Sequence, residues 1–198
     1  MAGTIELYFD VVSPYSYFAC TQIEALAERA GGTVDWRPFL LGGVMKATGN
    51  QPPAMLPARG RYLGKDLQRW AKRYGVPFGM PSSFPARTIT AQRMLVAARE
   101  QDPASVPGLA LAFFRAHWGE DRPVDDPATL NAIADEAGHD GAALLEAAGT
   151  DPIKQKLRAL TDEAVERGAF GAPTMYVGDE MFFGNDRLDF VEEALRAR

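Results

Sequence analysis

The opening 38 residues constrain the fold more than any other stretch. Ile5 to Val12 is apolar, β-branched and aromatic, broken only by Glu6 and Asp10, and reads as a buried strand. Ser13-Pro14 follows at once, with serine suited to cap a helix and proline to occupy its first position. The helical pattern continues to about Arg29 and stops at Gly31-Gly32. Val34 to Leu40 is a second strand. A strand, a helix and a strand within this length form a βαβ unit, so an α/β fold is expected.

The middle of the chain has a different character. Leu63, Leu67, Trp70, Ala71 and Tyr74 share one helical stripe, which Gly75 ends, and Thr90 to Glu100 reads as another helix. Asp102-Pro103, Asp126-Pro127 and Asp151-Pro152 each match an acidic cap followed by a first-turn proline. The last opens a helix with Ile153, Leu157, Leu160 and Ala164 on one face, closed by Gly168. Thr174 to Val177 then reads as a strand, Gly178-Asp179 as a turn, and Met181 to Phe183 as its hairpin partner. Asn185 or Asp186 caps a final helix carrying Leu188, Val191 and Leu195. The order βαβ, helices, αββα implies one α/β domain interrupted by an all-helical insertion, with residues 1–44 and 150–198 forming the domain and 45–149 the insertion.

Composition removes several classes of function. Among 198 residues there is one cysteine, Cys20, so no intrachain disulfide can form and the chain cannot work alone as a dithiol oxidoreductase. Cys20 falls well inside the first helix and reads as a small buried residue. The net charge of −5 argues against nucleic acid and anionic membranes as partners. No stretch approaches the roughly 18 apolar residues of a membrane span. The N-terminus has no basic region followed by an apolar run, so the cytoplasm is the default compartment. His117 and His139 have no ligand-like spacing to each other or to Cys20, so no metal is expected. No GxSxG elbow surrounds Ser13, and no GxxxxGK[ST] phosphate loop occurs.

Four stretches carry the candidate site. Ser13 stands where a helix start offers free N–H groups and a positive dipole end, which stabilise an anion, although capping alone explains a Ser-Pro pair. GAFGAPT at residues 168–174 sets a proline directly before a strand. A cis bond there would present the Ala172 backbone for pairing with an extended ligand, while a trans bond would only shape the loop. FFGNDR at residues 182–187 places Asn185 and Asp186 at a helix start, where Asp186 suits a ligand ammonium and capping is the plainer role. Asn50 lies in a proline-flanked loop, followed by a basic patch of Arg59, Arg61 and Lys65 that suits a carboxylate or, equally, a solvated surface. Trp70, Phe113, Phe114 and Trp118 read as core.

Taken together, FDVVSPYSY, GNQPPAMLP, YLGKDLQRWA and FGAPTMYVGDEMFFGNDRL, with the spacing between them, resemble the 2-hydroxychromene-2-carboxylate isomerases and their kappa-class glutathione transferase relatives. The resemblance covers nearly the whole chain. It implies a thioredoxin-like domain with a large all-helical insertion, and glutathione as cofactor. It implies that Ser13, standing where a redox relative has its first cysteine, activates the glutathione sulfur, with Pro14 and Tyr15 beside it. It further implies that Asn50 lines the site, that Ala172 beside Pro173 pairs with the cysteinyl backbone, and that Phe183, Gly184, Asn185 and Asp186 hold the γ-glutamyl end. Arg61, Tyr62 and Lys65 are the residues it suggests for an aromatic carboxylate substrate. Ala172 departs from the Val or Leu common at that position in relatives. The implied reaction is glutathione-dependent cis/trans isomerisation of 2-hydroxychromene-2-carboxylate to trans-o-hydroxybenzylidenepyruvate in aromatic catabolism, by a homodimer. A kappa-like transferase or peroxidase and a non-catalytic glutathione-binding module are the alternatives.

Overall fold

The computed structural model describes residues 3–52 and 57–198. Its first strand, β1 (Thr4–Phe9), pairs in parallel with β2 (Thr33–Pro38), Thr4 opposite Thr33 and Phe9 opposite Pro38. Parallel neighbours need a crossover. It is supplied by α1 (Pro14–Cys20) and α2 (Ile23–Arg29). One continuous helix to Arg29 is not what forms. The Thr21 hydroxyl donates back to the Phe18 carbonyl at 2.7 Å, a local bond that competes with the helical ladder, and the chain turns at Thr21-Gln22 before α2 begins.

On its other side β1 pairs antiparallel with β3 (Thr174–Val177), which forms a hairpin with β4 (Glu180–Phe183), giving the order β2-β1-β3-β4. β1 is buried on both faces, which is why its sequence is nearly all apolar. Ile5, Leu7 and Phe9 enter the larger core with Phe18, Phe113 and Phe114. Tyr8 points the other way, into a smaller core with Phe39, Val44, Ala164 and Tyr176. Its hydroxyl donates to Glu163 at 2.8 Å and accepts from Arg37 at 2.8 Å, so the buried phenol keeps its polar end paired.

Between the strands of the two chain ends lie α3 (Leu41–Thr48), α4 (Pro57–Tyr74), α5 (Ile89–Gln101), α6 (Val106–Glu120), α7 (Pro127–Glu136), α8 (Gly141–Ala148) and α9 (Asp151–Glu166). This is a thioredoxin-like sheet carrying a helical insertion. Asp126 caps α7 through Thr129 N–H at 2.8 Å, as expected. Asp102 instead caps a short 3-10 turn, Pro103–Ser105, through Ala104 N–H. Asp151 is no cap: Thr150 holds that position, and Asp151 in the first turn pairs with Lys154 at 3.0 Å. The last helix, α10 (Leu188–Arg196), follows a 3-10 turn over Asn185–Arg187 with no side-chain cap at either start. Neither Asn185 nor Asp186 therefore does the capping expected of it.

Candidate active site

The sheet register brings separate stretches of sequence to one edge. Phe9 opposes Pro38, Tyr8 opposes Thr174, and Thr174 opposes Phe183. The chain leaving β1, the chain leaving β2, the chain entering β3 and the chain leaving β4 therefore converge. A cavity of about 770 Å³ opens there, with Ser13, Leu41, Ala172 and Asn185 in its wall. The starts of α1, α3 and α5 all line it. Ser16 N–H at the start of α1 and Leu41 N–H at the start of α3 are already paired, with Ser13 Oγ and Asp10, but all three helices turn the positive ends of their dipoles to the cavity, which favours anions.

Ser13 is the N-cap of α1 and only 4% exposed. Its Oγ accepts from Ser16 N–H at 3.1 Å and donates to the Ala172 carbonyl at 3.1 Å. Pro14 fills the first helical position. The Ala172-Pro173 peptide is cis, and no partner for the Ala172 N–H is found among the described residues. Pro173 lies behind the wall, and its carbonyl accepts from Gly184 N–H at 3.0 Å, which ties the strand-entry loop to the loop after β4.

In that second loop Gly184 has φ +98, and a Cβ there would meet the Asp186 carboxylate at 2.5 Å. Glycine lets the chain bend so that Asn185 turns inward. Asn185 is 2% exposed, and its Nδ2 has no hydrogen-bond partner among the described residues. A buried donor left unpaired costs about 1–3 kcal/mol, so its place in the wall points to a ligand acceptor. Asp186 is half exposed and accepts from Arg187 at 2.8 Å. Phe183 sits at the rim, its ring 4.5 Å from that of Phe170.

Asn50 also lines the cavity, but its Nδ2 donates to the Phe170 carbonyl at 2.8 Å, so it holds the loop before the cis-proline in place. The Tyr15 hydroxyl donates to Asp66 at 2.8 Å; burial and this carboxylate push the phenol's pKa up, and it stays protonated.

Arg61, Tyr62 and Lys65 do not join the wall. The residues of α4 that do are Arg59, Leu63, Asp66 and Trp70. Their spacing of four, three and four residues is one face of a helix, and Arg61 and Lys65 fall on the opposite face. Tyr62 is 62% exposed and reaches Asp66 only at 3.4 Å. The periodicity that marked the Leu63–Trp70 stripe was the signal that separates these sets. Trp70, expected in the core, is half-buried against Tyr74 and faces the cavity.

Asp10 is a site residue that sequence reasoning passed over. It is 2% exposed and accepts from Thr88 Oγ1 at 2.6 Å, Leu41 N–H at 2.9 Å and Val12 N–H at 3.1 Å. Burial raises its pKa against the pull of these donors. Gln92, fully buried on α5, sends its Nε2 to the carbonyls of Phe9 at 2.8 Å and Phe39 at 2.9 Å. Trp118 on α6 donates to the Val11 carbonyl at 2.8 Å. The insertion thus satisfies backbone groups that end-of-strand loops would leave orphaned. Cys20 is buried in α1, and burial pushes its thiol pKa well up, so it is an inert core residue.

A four-stranded sheet with this order, a cis-proline before β3 and a helix capped by Ser13 opposite it define a protein of the thioredoxin class. The model of the DSBA-like thioredoxin domain matches residues 4–196, and the chain belongs to that family. It is 35% identical to the 2-hydroxychromene-2-carboxylate isomerase of Sphingobium xenophagum over 98% of this chain and 99% of that protein. Its identity to glutathione S-transferase kappa 1 of Rattus norvegicus is 31%, over 94% of this chain and 88% of that one. A solved 2-hydroxychromene-2-carboxylate isomerase structure superposes with a TM-score of 0.82 at 33% identity, covering 97% of this chain and 94% of that one. Among the described residues no helix is long and apolar enough to cross a membrane.

Proposed function

We propose that this chain is a glutathione-dependent isomerase acting on 2-hydroxychromene-2-carboxylate and trans-o-hydroxybenzylidenepyruvate. The observation that carries the reading is the single cavity wall shared by Ser13 Oγ, the Ala172 backbone and the unpaired Asn185 Nδ2. A γ-glutamyl-cysteinyl-glycine ligand presents a thiol, a peptide edge and an α-amino acid end, and the three groups suit these in turn. Identity to isomerases from two genera, 35% and 34%, supports the choice of reaction.

When bound, glutathione would supply a thiolate for reversible addition to the conjugated carbon of the ring-opened enone, which forms as the hemiketal C–O bond breaks to release the phenol; addition leaves a single bond free to rotate, and elimination returns the thiolate. The chain's own residues prepare that chemistry. Ser13 donates toward the sulfur position at the start of α1, where donor and dipole both favour the charged thiolate. Ala172 pairs through its backbone with the cysteinyl peptide, as an added strand would. Asn185 donates to the γ-glutamyl carboxylate, and Asp186 accepts from its ammonium. Tyr15, kept protonated by Asp66, packs beside them.

The test is a steady-state assay on the chromene acid with and without glutathione. Turnover only with glutathione is expected. Turnover independent of glutathione overturns the reading. Conjugation of 1-chloro-2,4-dinitrobenzene without action on the chromene acid identifies a kappa-like transferase instead, and glutathione binding with no turnover on either identifies a binding module.

A further inference from the structure

The geometry points to Arg87 as the residue that binds the carboxylate of the second, electrophilic substrate, and so as the determinant of its preference for acids. This rests on reading the cavity as a site for glutathione and a conjugated acid.

Arg59 and Arg87 are the basic residues of the cavity wall among the described residues, and neither forms an ion pair there. The wall's three carboxylates all have donors of their own. Asp10 is held by Thr88, Leu41 and Val12, Asp66 by Tyr15, and Asp186 by Arg187. An acidic ligand therefore meets cations that are not already committed, and guanidinium geometry matches a carboxylate in two parallel bonds.

Position separates the two arginines. Arg59 lies in the first turn of α4, on the helix face that carries Asp66, whose carboxylate accepts from Tyr15 at 2.8 Å. Arg87 comes to the wall from a separate segment, the one that leads into α5. It follows the cis Phe84-Pro85 peptide and immediately precedes Thr88, the N-cap of α5. The Thr88 hydroxyl is engaged with Asp10, so α5 starts with no side-chain cap. An uncapped helix start and a guanidinium thus stand side by side at one place. The same chain of contacts ties the residue next to it to the Ser13 loop: Thr88 bonds the Asp10 side chain, and the Asp10 carbonyl accepts from Ser13 N–H at 2.9 Å. Phe84, Ile89, Leu41 and Met45 supply apolar wall of the same cavity. The ligand class that fits is a planar conjugated or aromatic acid, its carboxylate on Arg87 and its electrophilic carbon turned toward the Ser13 side.

The experiment compares trans-benzylidenepyruvate with its methyl ester in wild type, Arg87→Gln, Arg87→Lys and Arg59→Gln. The readout is the acid-to-ester ratio of kcat/KM for glutathione-dependent loss of the enone chromophore, with KM and kcat resolved separately. Wild type should prefer the acid. Arg87→Gln should lower the ratio about tenfold or more through KM, the scale of a charge-assisted hydrogen bond at a half-open site, and Arg87→Lys should recover part of it. An unchanged ratio in Arg87→Gln, or a collapse of the ratio in Arg59→Gln alone, overturns the assignment. If neither probe is turned over, the proposed reaction fails but Arg87 is still tested by equilibrium binding to the glutathione complex, read by Trp70 fluorescence. Acid binding that Arg87→Gln weakens sustains the assignment, and equal or absent binding of acid and ester to wild type overturns it.

Discussion

Replacing Ser13 by alanine removes one hydroxyl that makes two bonds, and the two can be separated. As N-cap, Oγ accepts from Ser16 N–H at 3.1 Å. Losing that contact costs about 0.5–2 kcal/mol of stability. As donor, Oγ serves the Ala172 carbonyl at 3.1 Å, and in the proposed complex the sulfur. A hydrogen bond to a charged acceptor contributes about 1.5–3 kcal/mol, which is roughly 1–2 pKa units for the bound thiol. The sign follows from which form is stabilised. The donor favours the thiolate, so the wild-type complex keeps its thiolate to lower pH. Without the donor the inflection moves up by about 1–2 units, the rate below both inflections falls about 10–100-fold, and the profiles converge above them. Ser13→Gly is the discriminating variant, because glycine at an N-cap costs only a few tenths of a kcal/mol while the donor is still lost. The assay is ultraviolet thiolate absorbance of bound glutathione, and kcat, each against pH. Equal upward shifts in Ser13→Ala and Ser13→Gly are expected. An unshifted profile in Ser13→Gly, with a stability loss confined to Ser13→Ala, would show that Ser13 only caps a helix and would refute the reasoning.

Asn185→Leu should fill the same space without the unpaired donor, weaken glutathione binding in calorimetry about tenfold, and leave thermal stability unchanged or raised. Gln92→Leu strips the Phe9 and Phe39 carbonyls of their buried donor and should cost about 3 kcal/mol in urea unfolding, with no loss if the amide merely fills space. His117 is fully buried with neither ring nitrogen hydrogen-bonded among the described residues, and burial pushes its pKa down to about 4. Its folded pKa lies below the unfolded value of about 6.5, so the unfolded state binds the extra proton and stability falls as pH drops through that window, by about 3 kcal/mol in full. His117→Leu should flatten this dependence between pH 7 and pH 4.5 in chemical denaturation, and parallel curves for variant and wild type would count against it.

The residues of the site that were legible in the sequence are those that sit beside a local signal. Ser13 ends a strand and precedes a proline; Ala172-Pro173 precedes a strand after a glycine-rich turn; Asn185 follows a hairpin. Pattern reading reaches such positions because strand ends and helix starts are local events, and the sheet register then gathers them. Asp10, Gln92 and Arg87 were out of reach for the opposite reason. Gln92 contacts Phe9 across 83 residues and Asp10 contacts Thr88 across 78. A glutamine within a helix reads as a surface residue until the packing of that helix is known. Arg61 and Lys65 illustrate a third case, in which the nearby apolar stripe already assigned them to the far face and charge alone suggested otherwise. Asp186, expected to cap the last helix, shows how one residue of offset alters a role, since it falls inside the 3-10 turn Asn185–Arg187 and Arg187 takes the position before α10.

The bonds that Gln92 and Trp118 make to Val11 also set a timescale. The Val11 N–H is held by Gln92 Oε1 at 3.4 Å and its carbonyl by Trp118 at 2.8 Å, one partner on α5 and the other on α6. Neither bond opens by local fraying of a loop, because both partners are rooted in buried helices. Amide hydrogen exchange at Val11 should accordingly track global unfolding, an uncommon rank for a segment two residues from Ser13 in a cavity wall, since loops at binding sites usually exchange early. Ligand release in this molecule then has to be limited by motions elsewhere in the cavity wall, and the loop that carries Ser13 keeps the lifetime of the core.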